Sequence, residues 1–275
     1  MWTARTIGRG IALALLALSS ASNAATAAYH DQITQSAPVL WYQFNEGSGA
    51  AVNYGSYGAT FNATYLGTPT RQATTRLGDS GVLFDTSDDY LQSGAVSPVA
   101  LSGNPTFSAE VLFFIPSNGT CGLWAPFLHW GPSSPENTAK SVYFSFSQND
   151  PTAAFAGFYN GGPKSPTGSL PRGRWHHFIW VRTGGGNALT GTTVYLDGND
   201  VTGTLVPDPN LPANTLTPSV GSTEFRVNRA RDIDGVRFFT GTVDEVALYD
   251  RTLTAQEALD HFHEAIIDIF QDGFE

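Results

Sequence analysis

From Val39 to Phe274 the apolar residues recur in short runs, each closed within a few positions by Gly, Pro, Asn or Ser. That spacing admits strands and turns and leaves little room for helices. In Ser141–Ser147, Val142, Phe144 and Phe146 alternate with Ser141, Tyr143, Ser145 and Ser147, a period of two that predicts one buried and one wetted face. Thr106–Val111 alternates and then runs apolar to Ile115, which predicts a central strand covered on both sides. Arg174–Val181 and Thr192–Leu196, joined by a loop around Gly184–Gly186, should pair, with Thr193 and Tyr195 opposite Val194 and Leu196. Asp197-Gly198 is a tight-turn signal, Gly241–Tyr249 is the last strand, and Pro207–Pro218 is a loop. Helical periodicity appears once, from Thr254 to about Ala265, opened by the capping box Thr254-Ala255-Gln256-Glu257. The expected class is therefore all-β, two antiparallel sheets with one short C-terminal helix.

Arg5 and Arg9, the apolar run Ile11–Leu18 and the small residues Ser22-Asn23-Ala24 have the order of a secretory leader, residues 1–24, cut near Ala24 or Ala27. The run is about half the roughly 20 residues a membrane helix needs, so no membrane insertion is expected. The reading places the protein outside the cytoplasm of a Gram-negative bacterium, secreted, periplasmic or on the cell surface. About 250 residues then remain, an ordinary size for one large sandwich. The expected division is a leader, one domain over 29–265 and a short tail over 266–275. Charged residues are 14% of the chain and the formal net charge is −10, which disfavours nucleic acid and anionic lipid as partners, since both are bound through clustered Lys and Arg. The single cysteine, Cys121, permits no intramolecular disulfide and reads as a small buried hydrophobe.

Several short patterns, in order, resemble the laminin G-like, concanavalin A-type jelly-roll family. They are Trp41-Tyr42-Gln43-Phe44-Asn45-Glu46-Gly47-Ser48-Gly49, Val82-Leu83-Phe84-Asp85 with Asp88-Asp89-Tyr90-Leu91, and Phe107-Ser108-Ala109-Glu110-Val111. Trp175-His176-His177-Phe178, Val194-Tyr195-Leu196-Asp197-Gly198 and Phe239–Tyr249 with Leu253–Glu257 complete the series. The resemblance implies a jelly roll with its termini close together and a short helix after the last strand. It also implies calcium near the sandwich rim, with Asp244 supplying a carboxylate and the backbone around Asn45 and Gly47 supplying carbonyls. Asn45 departs from the pattern, which often has Asp there.

Catalytic signatures are absent. Glycoside hydrolysis needs two carboxylates about 5 to 9 Å apart across the sugar, whereas the neighbours Asp244 and Glu245 should point to opposite faces of a strand and Asp232 and Asp234 fall in a loop. No Gly-x-Ser-x-Gly or His-Glu-x-x-His occurs. His261 and His263, two apart on a helix, read as surface groups, and His176 and His177 as one inward and one outward strand residue. Trp124 and Trp130, with Phe127 and His129 between them, and Tyr159 before Asn160 are candidates for stacking on a sugar ring; for Phe127 and Trp130 the sandwich core is the competing place. The expected function is a non-catalytic extracellular module that binds a glycan or a protein surface, with a structural calcium. A glycan hydrolase or lyase with unrecognised residues and a protein-binding adhesion or envelope protein are the alternatives.

Overall fold

A computed structural model of the chain describes residues 26–132, 138–231 and 237–266. The expected leader and the tail beyond Ile266 lie outside the described residues. Two eight-stranded antiparallel sheets form the body. The first runs Asn199–Asp200, Thr192–Leu196, Trp175–Arg182, Phe107–Phe114, Gly241–Tyr249, Ser80–Phe84, Thr70–Thr74, with Leu40–Tyr42 also paired to Gly241–Tyr249. The second runs Val206–Pro207, Pro163–Lys164, Asp150–Phe158, Val142–Ser147, Pro126–Trp130, Glu224–Val227, Tyr90–Val96, Ala63–Leu66.

The period-two pattern decides what meets between the sheets. Val111, Phe113, Phe178, Trp180, Val194, Leu196, Val246 and Leu248 face inward from the first sheet. Phe127, Trp130, Val142, Phe144, Phe146 and Phe158 meet them from the second. Ring pairs such as Phe113–Phe127 and Phe144–Phe178, both 4.3 Å between centroids, interlock the layers. Each such side chain contributes about 1.5–3 kcal/mol by leaving water. Phe107–Phe114 is central, as its continuous apolar run predicts, flanked by Trp175–Arg182 and Gly241–Tyr249.

The outer face of the first sheet is closed by two helices. The expected one, Ala255–Ile266, has its capping box in place: the Glu257 N–H donates to Thr254 Oγ1 at 3.1 Å and the Thr254 N–H to Glu257 at 2.7 Å. The other, residues 26–35, precedes the first strand and was not foreseen. Its Tyr29 and Ile33, four apart and hence on one helical face, pack with Ala258 and Ala265 against Leu112, Ile179, Ala247 and Tyr249. At the centre lies the fully buried Glu110, which accepts hydrogen bonds from the Tyr29 and Tyr249 hydroxyls (2.9 Å each), His177 Nε2 (2.7 Å) and His261 Nδ1 (2.9 Å). His261 is therefore no surface group; its other nitrogen reaches Ser36 Oγ at 2.8 Å. His176, on the inner side against Phe113, bonds Asp197 and the Pro171 carbonyl. Both histidines of the Trp-His-His segment thus serve packing and hydrogen bonding.

Candidate functional site

With helices over the first sheet, the outer face of the second is the broad face left for a ligand. Direct cross-strand partners share a face, and one row crosses it: Gly157 opposite Tyr143, Tyr143 opposite His129, His129 opposite Arg226, Arg226 opposite Gln92. The face is not wetted where the alternation in Ser141–Ser147 predicts water; Tyr143, Ser145 and Ser147 are all buried. Tyr143 packs with Phe155, Leu211 and Ala230, and the segment carrying Leu211 lies over them.

A shallow, half-open depression lies here, lined by Trp124, Tyr143, Phe155, Phe158, Tyr159, Asn160, Leu211 and Arg237. Two candidates far apart in sequence, Trp124 and Tyr159, meet in it. Trp124 is held in an unusual backbone conformation, φ 43°, a region that a bulky residue enters only when its surroundings over-determine it. Those surroundings are visible. The Trp124 indole N–H donates to Asp208 at 3.1 Å, and the Ser147 hydroxyl donates to the same carboxylate oxygen at 3.1 Å. The Arg237 guanidinium lies 5.5 Å from the Trp124 ring and 5.5 Å from the Tyr143 ring. Asn160, φ 68°, turns the chain beside Tyr159, and the Asn160 amide donates to Thr138.

Trp130 does not join the site. It is fully buried among Phe107 and Phe225, and its indole N–H donates to the Leu101 carbonyl at 3.2 Å. The strand alternation sends Trp130 inward with Leu128 while His129 faces out against Tyr143. Burial and the charges of Arg226, Arg237 and Arg231 push His129 well below the ordinary histidine range, so its ring is neutral.

A second polar cluster lies beside the helix of residues 26–35. A bulge in the last strand sets Val243 opposite Phe113 but Val246 opposite Val111. Asp244 and Glu245 together then oppose Leu112 alone. Val243 and Val246 both face the sandwich core while Ala247 faces outward, so both acids turn outward. The expectation of opposite faces is thereby corrected. Glu245 accepts from His30 Nε2 at 2.6 Å and from the Trp41 indole N–H at 2.5 Å. Ligand atoms of His30, Asp79 and Glu245 lie within 4.8 Å of one another. Burial alone would lower His30, but its bond to Glu245 outweighs that and holds it above the ordinary range.

Asp244 is fully buried with neither carboxylate oxygen hydrogen-bonded, since the nearby Thr75 hydroxyl is given to Asp79 at 2.6 Å. Burial first, then the charges of Asp79 and Glu245, push Asp244 well above the carboxylate range. An orphaned buried carboxylate is a group that a hard cation could satisfy, although the ligand atoms that converge here are those of His30, Asp79 and Glu245. Asn45 is adjacent through its side chain, whose Nδ2 donates to Asp79 at 3.1 Å and whose Oδ1 accepts from Ser80 N–H. Gly47 lies against the Gln72 side chain.

The fold agrees with a family model of the concanavalin A-like lectin/glucanases superfamily, which matches residues 85–258. The chain belongs to this superfamily. Comparison with curated proteins gives no match. Among solved structures, the chain is similar to Trypanosoma rangeli sialidase in complex with sialic acid, at 20% identity and TM-score 0.53 over 84% of this chain and 33% of the other. It thus spans about a third of that sialidase. It also resembles domain 4 of AbnA, a GH43 extracellular arabinanase from Geobacillus stearothermophilus in complex with arabinotriose. That match has 16% identity and TM-score 0.50 over 82% of this chain and 97% of the other. The binding domain of Paraclostridial Mosquitocidal Protein 1 follows at 9% identity and TM-score 0.51, over 82% of this chain and 52% of the other. At these identities the likeness is one of fold. Among the described residues no helix is long and apolar enough to cross a membrane.

Proposed function

We propose that the chain is an exported, non-catalytic module that binds a glycan by seating a sugar ring against Trp124 and Tyr159 on the outer face of the second sheet. The observation that carries this is Trp124 itself. A bulky aromatic residue is kept in a costly backbone conformation and fixed by Asp208, so that it borders a depression with Tyr159 and Asn160. Aromatic faces receive the apolar side of a sugar, and the neighbouring amide and guanidinium reach its hydroxyls. The likeness in fold to an arabinanase domain in complex with arabinotriose agrees with this reading.

Calcium belongs to the same proposal as a structural ion held by Asp244 and Asp79. It would neutralise the acids beside the helix of residues 26–35 and so help to fix that helix on the sheet.

A glycan-array screen of the purified protein tests the function, followed by incubation with every bound glycan and analysis for cleavage products. Binding without products is the expected result. Cleavage would establish the hydrolase or lyase alternative, and no binding to any glycan would leave protein adhesion in its place.

A further inference from the structure

We propose that His30, Asp79 and Glu245 hold a borderline divalent transition ion, of the class of zinc, which staples the helix of residues 26–35 to the first sheet. The inference stands apart from the glycan reading and goes beyond the calcium one, with which it shares Asp79, so that the two ions compete. One donor comes from the helix, one from the turn between Thr70–Thr74 and Ser80–Phe84, and one from the last strand. The three ligand atoms lie within 4.8 Å of one another. His30 Nε2 is 2.6 Å from Glu245 Oε1 and 4.0 Å from Asp79 Oδ2. Zinc bonds of about 2.0–2.2 Å at tetrahedral angles set their donors about 3.3 Å apart. Opening the first separation and closing the second, each by about 0.7 Å, meets that spacing.

The surroundings orient two oxygens for such an ion. The Trp41 indole N–H donates to Glu245 Oε2 at 2.5 Å and the Thr75 hydroxyl to Asp79 Oδ1 at 2.6 Å, which leaves Glu245 Oε1 and Asp79 Oδ2 toward His30. Asp79 Oδ2 also accepts from Asn45 Nδ2 at 3.1 Å, and its second lone pair serves a metal. Outer hydrogen bonds of this kind hold ligating carboxylates in place. The independent pointer is Asp244, beside Glu245 on the outward side of the bulge and fully buried, with neither oxygen hydrogen-bonded. Asp79 and Glu245 both act on its charge, so three acids crowd a place where positive charge is the missing partner. An ion replaces the His30 Nε2 proton, which passes to solvent, and adds one unit of positive charge in doing so. The imidazole decides the class of ion: calcium and magnesium take oxygen donors, whereas a nitrogen donor suits zinc and its neighbours. The His30 and Asp79 side chains, 20% and 15% exposed, give the ion its way in.

The test is calorimetric titration of the tag-free, chelator-stripped protein with zinc and separately with calcium, together with the visible spectrum of the protein loaded with cobalt(II). The variants are His30→Gln, whose amide can still donate to Glu245, and His263→Gln, at an exposed histidine of the C-terminal helix. One zinc per chain is expected, bound at least tenfold more tightly than calcium, with a rise in Tm and the intense visible absorption of tetrahedral cobalt. His30→Gln should weaken zinc at least tenfold and lose the cobalt band while keeping its response to calcium. His263→Gln should match wild type. Zinc binding undiminished in His30→Gln, zinc bound no more tightly than calcium, or the weak absorption of octahedral cobalt in wild type would overturn the inference. Binding confined to calcium would overturn it too while the calcium reading stands, and none of these outcomes bears on glycan binding.

Discussion

Replacing Glu110 by Gln removes one negative charge and turns one of two acceptor oxygens into a donor, with almost no change of shape. In the native protein Oε1 accepts from Tyr29 and His177, and Oε2 from Tyr249 and His261. A glutamine oxygen can satisfy one of these pairs, and the amide nitrogen then faces the two donors of the other. Each buried donor left unsatisfied costs about 1–3 kcal/mol. Loss of a buried charge from its partners costs about 3–5 kcal/mol, so a total of about 3–5 kcal/mol is expected against a usual stability of 5–15 kcal/mol. For a chain of this size that corresponds to a fall in Tm of roughly 6–20 °C. The assay is urea and thermal unfolding followed by circular dichroism at pH 7. Because Tyr29 and His261 belong to the two helices over the first sheet, the variant should also lose hydrogen-exchange protection in residues 26–35 and 255–266 before the strands do. A loss below about 1 kcal/mol, with both helices still protected, would refute the view that Glu110 pins them.

Trp130→Ala should cost about 3–5 kcal/mol through the cavity left between Phe107 and Phe225, measured by chemical unfolding. Addition of calcium to about 100 times its Kd should raise stability by about 2.7 kcal/mol, seen as a higher Tm. Chelator should reverse the gain, and Asp244→Asn should abolish it. The raised Asp244 value sets the sign of a pH effect. Its penalty is absent below about pH 4, where the unfolded carboxyl is also protonated, and grows by up to about 1.4 kcal/mol per pH unit as pH rises toward the folded value. In chelator, wild type should therefore lose stability relative to Asp244→Asn between pH 5 and pH 7, as read from paired unfolding curves, and equal slopes would count against it. Glu110, held below the ordinary range, acts in the opposite sense. Burial opposes that shift, and the charges and hydrogen bonds of His261 and His177 outweigh it. Its contribution is present above about pH 4 and is lost as acid is added toward the folded value, well below that range.

The sandwich was legible because period-two alternation and turn residues are local signals. Ser141–Ser147, Arg174–Val181 with Thr192–Leu196, and the last strand form as their residues indicate. The helix of residues 26–35 was not read, since it offers little more than Tyr29 and Ile33 as an apolar face and gains its stability from packing on the sheet. Asp244 and Glu245 were assigned to opposite faces because a bulge is a property of strand pairing and leaves no mark in composition. Glu110 was a signal passed over: a carboxylate in the middle of a strand covered on both faces must have partners. Of the aromatic candidates, Trp124 and Tyr159 meet at one depression and Trp130 does not. What separates them is the register of Pro126–Trp130 and the loop carrying Leu211, both set by tertiary contacts.

The most direct measurement of the central claim is calorimetric titration of the best array ligand into wild type, Trp124→Ala and Trp130→Phe, with Tm recorded for each. Seating on Trp124 predicts that Trp124→Ala weakens binding by about 2 kcal/mol or more, roughly thirtyfold, at little cost in Tm. Trp130→Phe should bind as wild type while melting lower. Undiminished affinity in Trp124→Ala would contradict the account, and the ligand would have to be sought on another part of the surface.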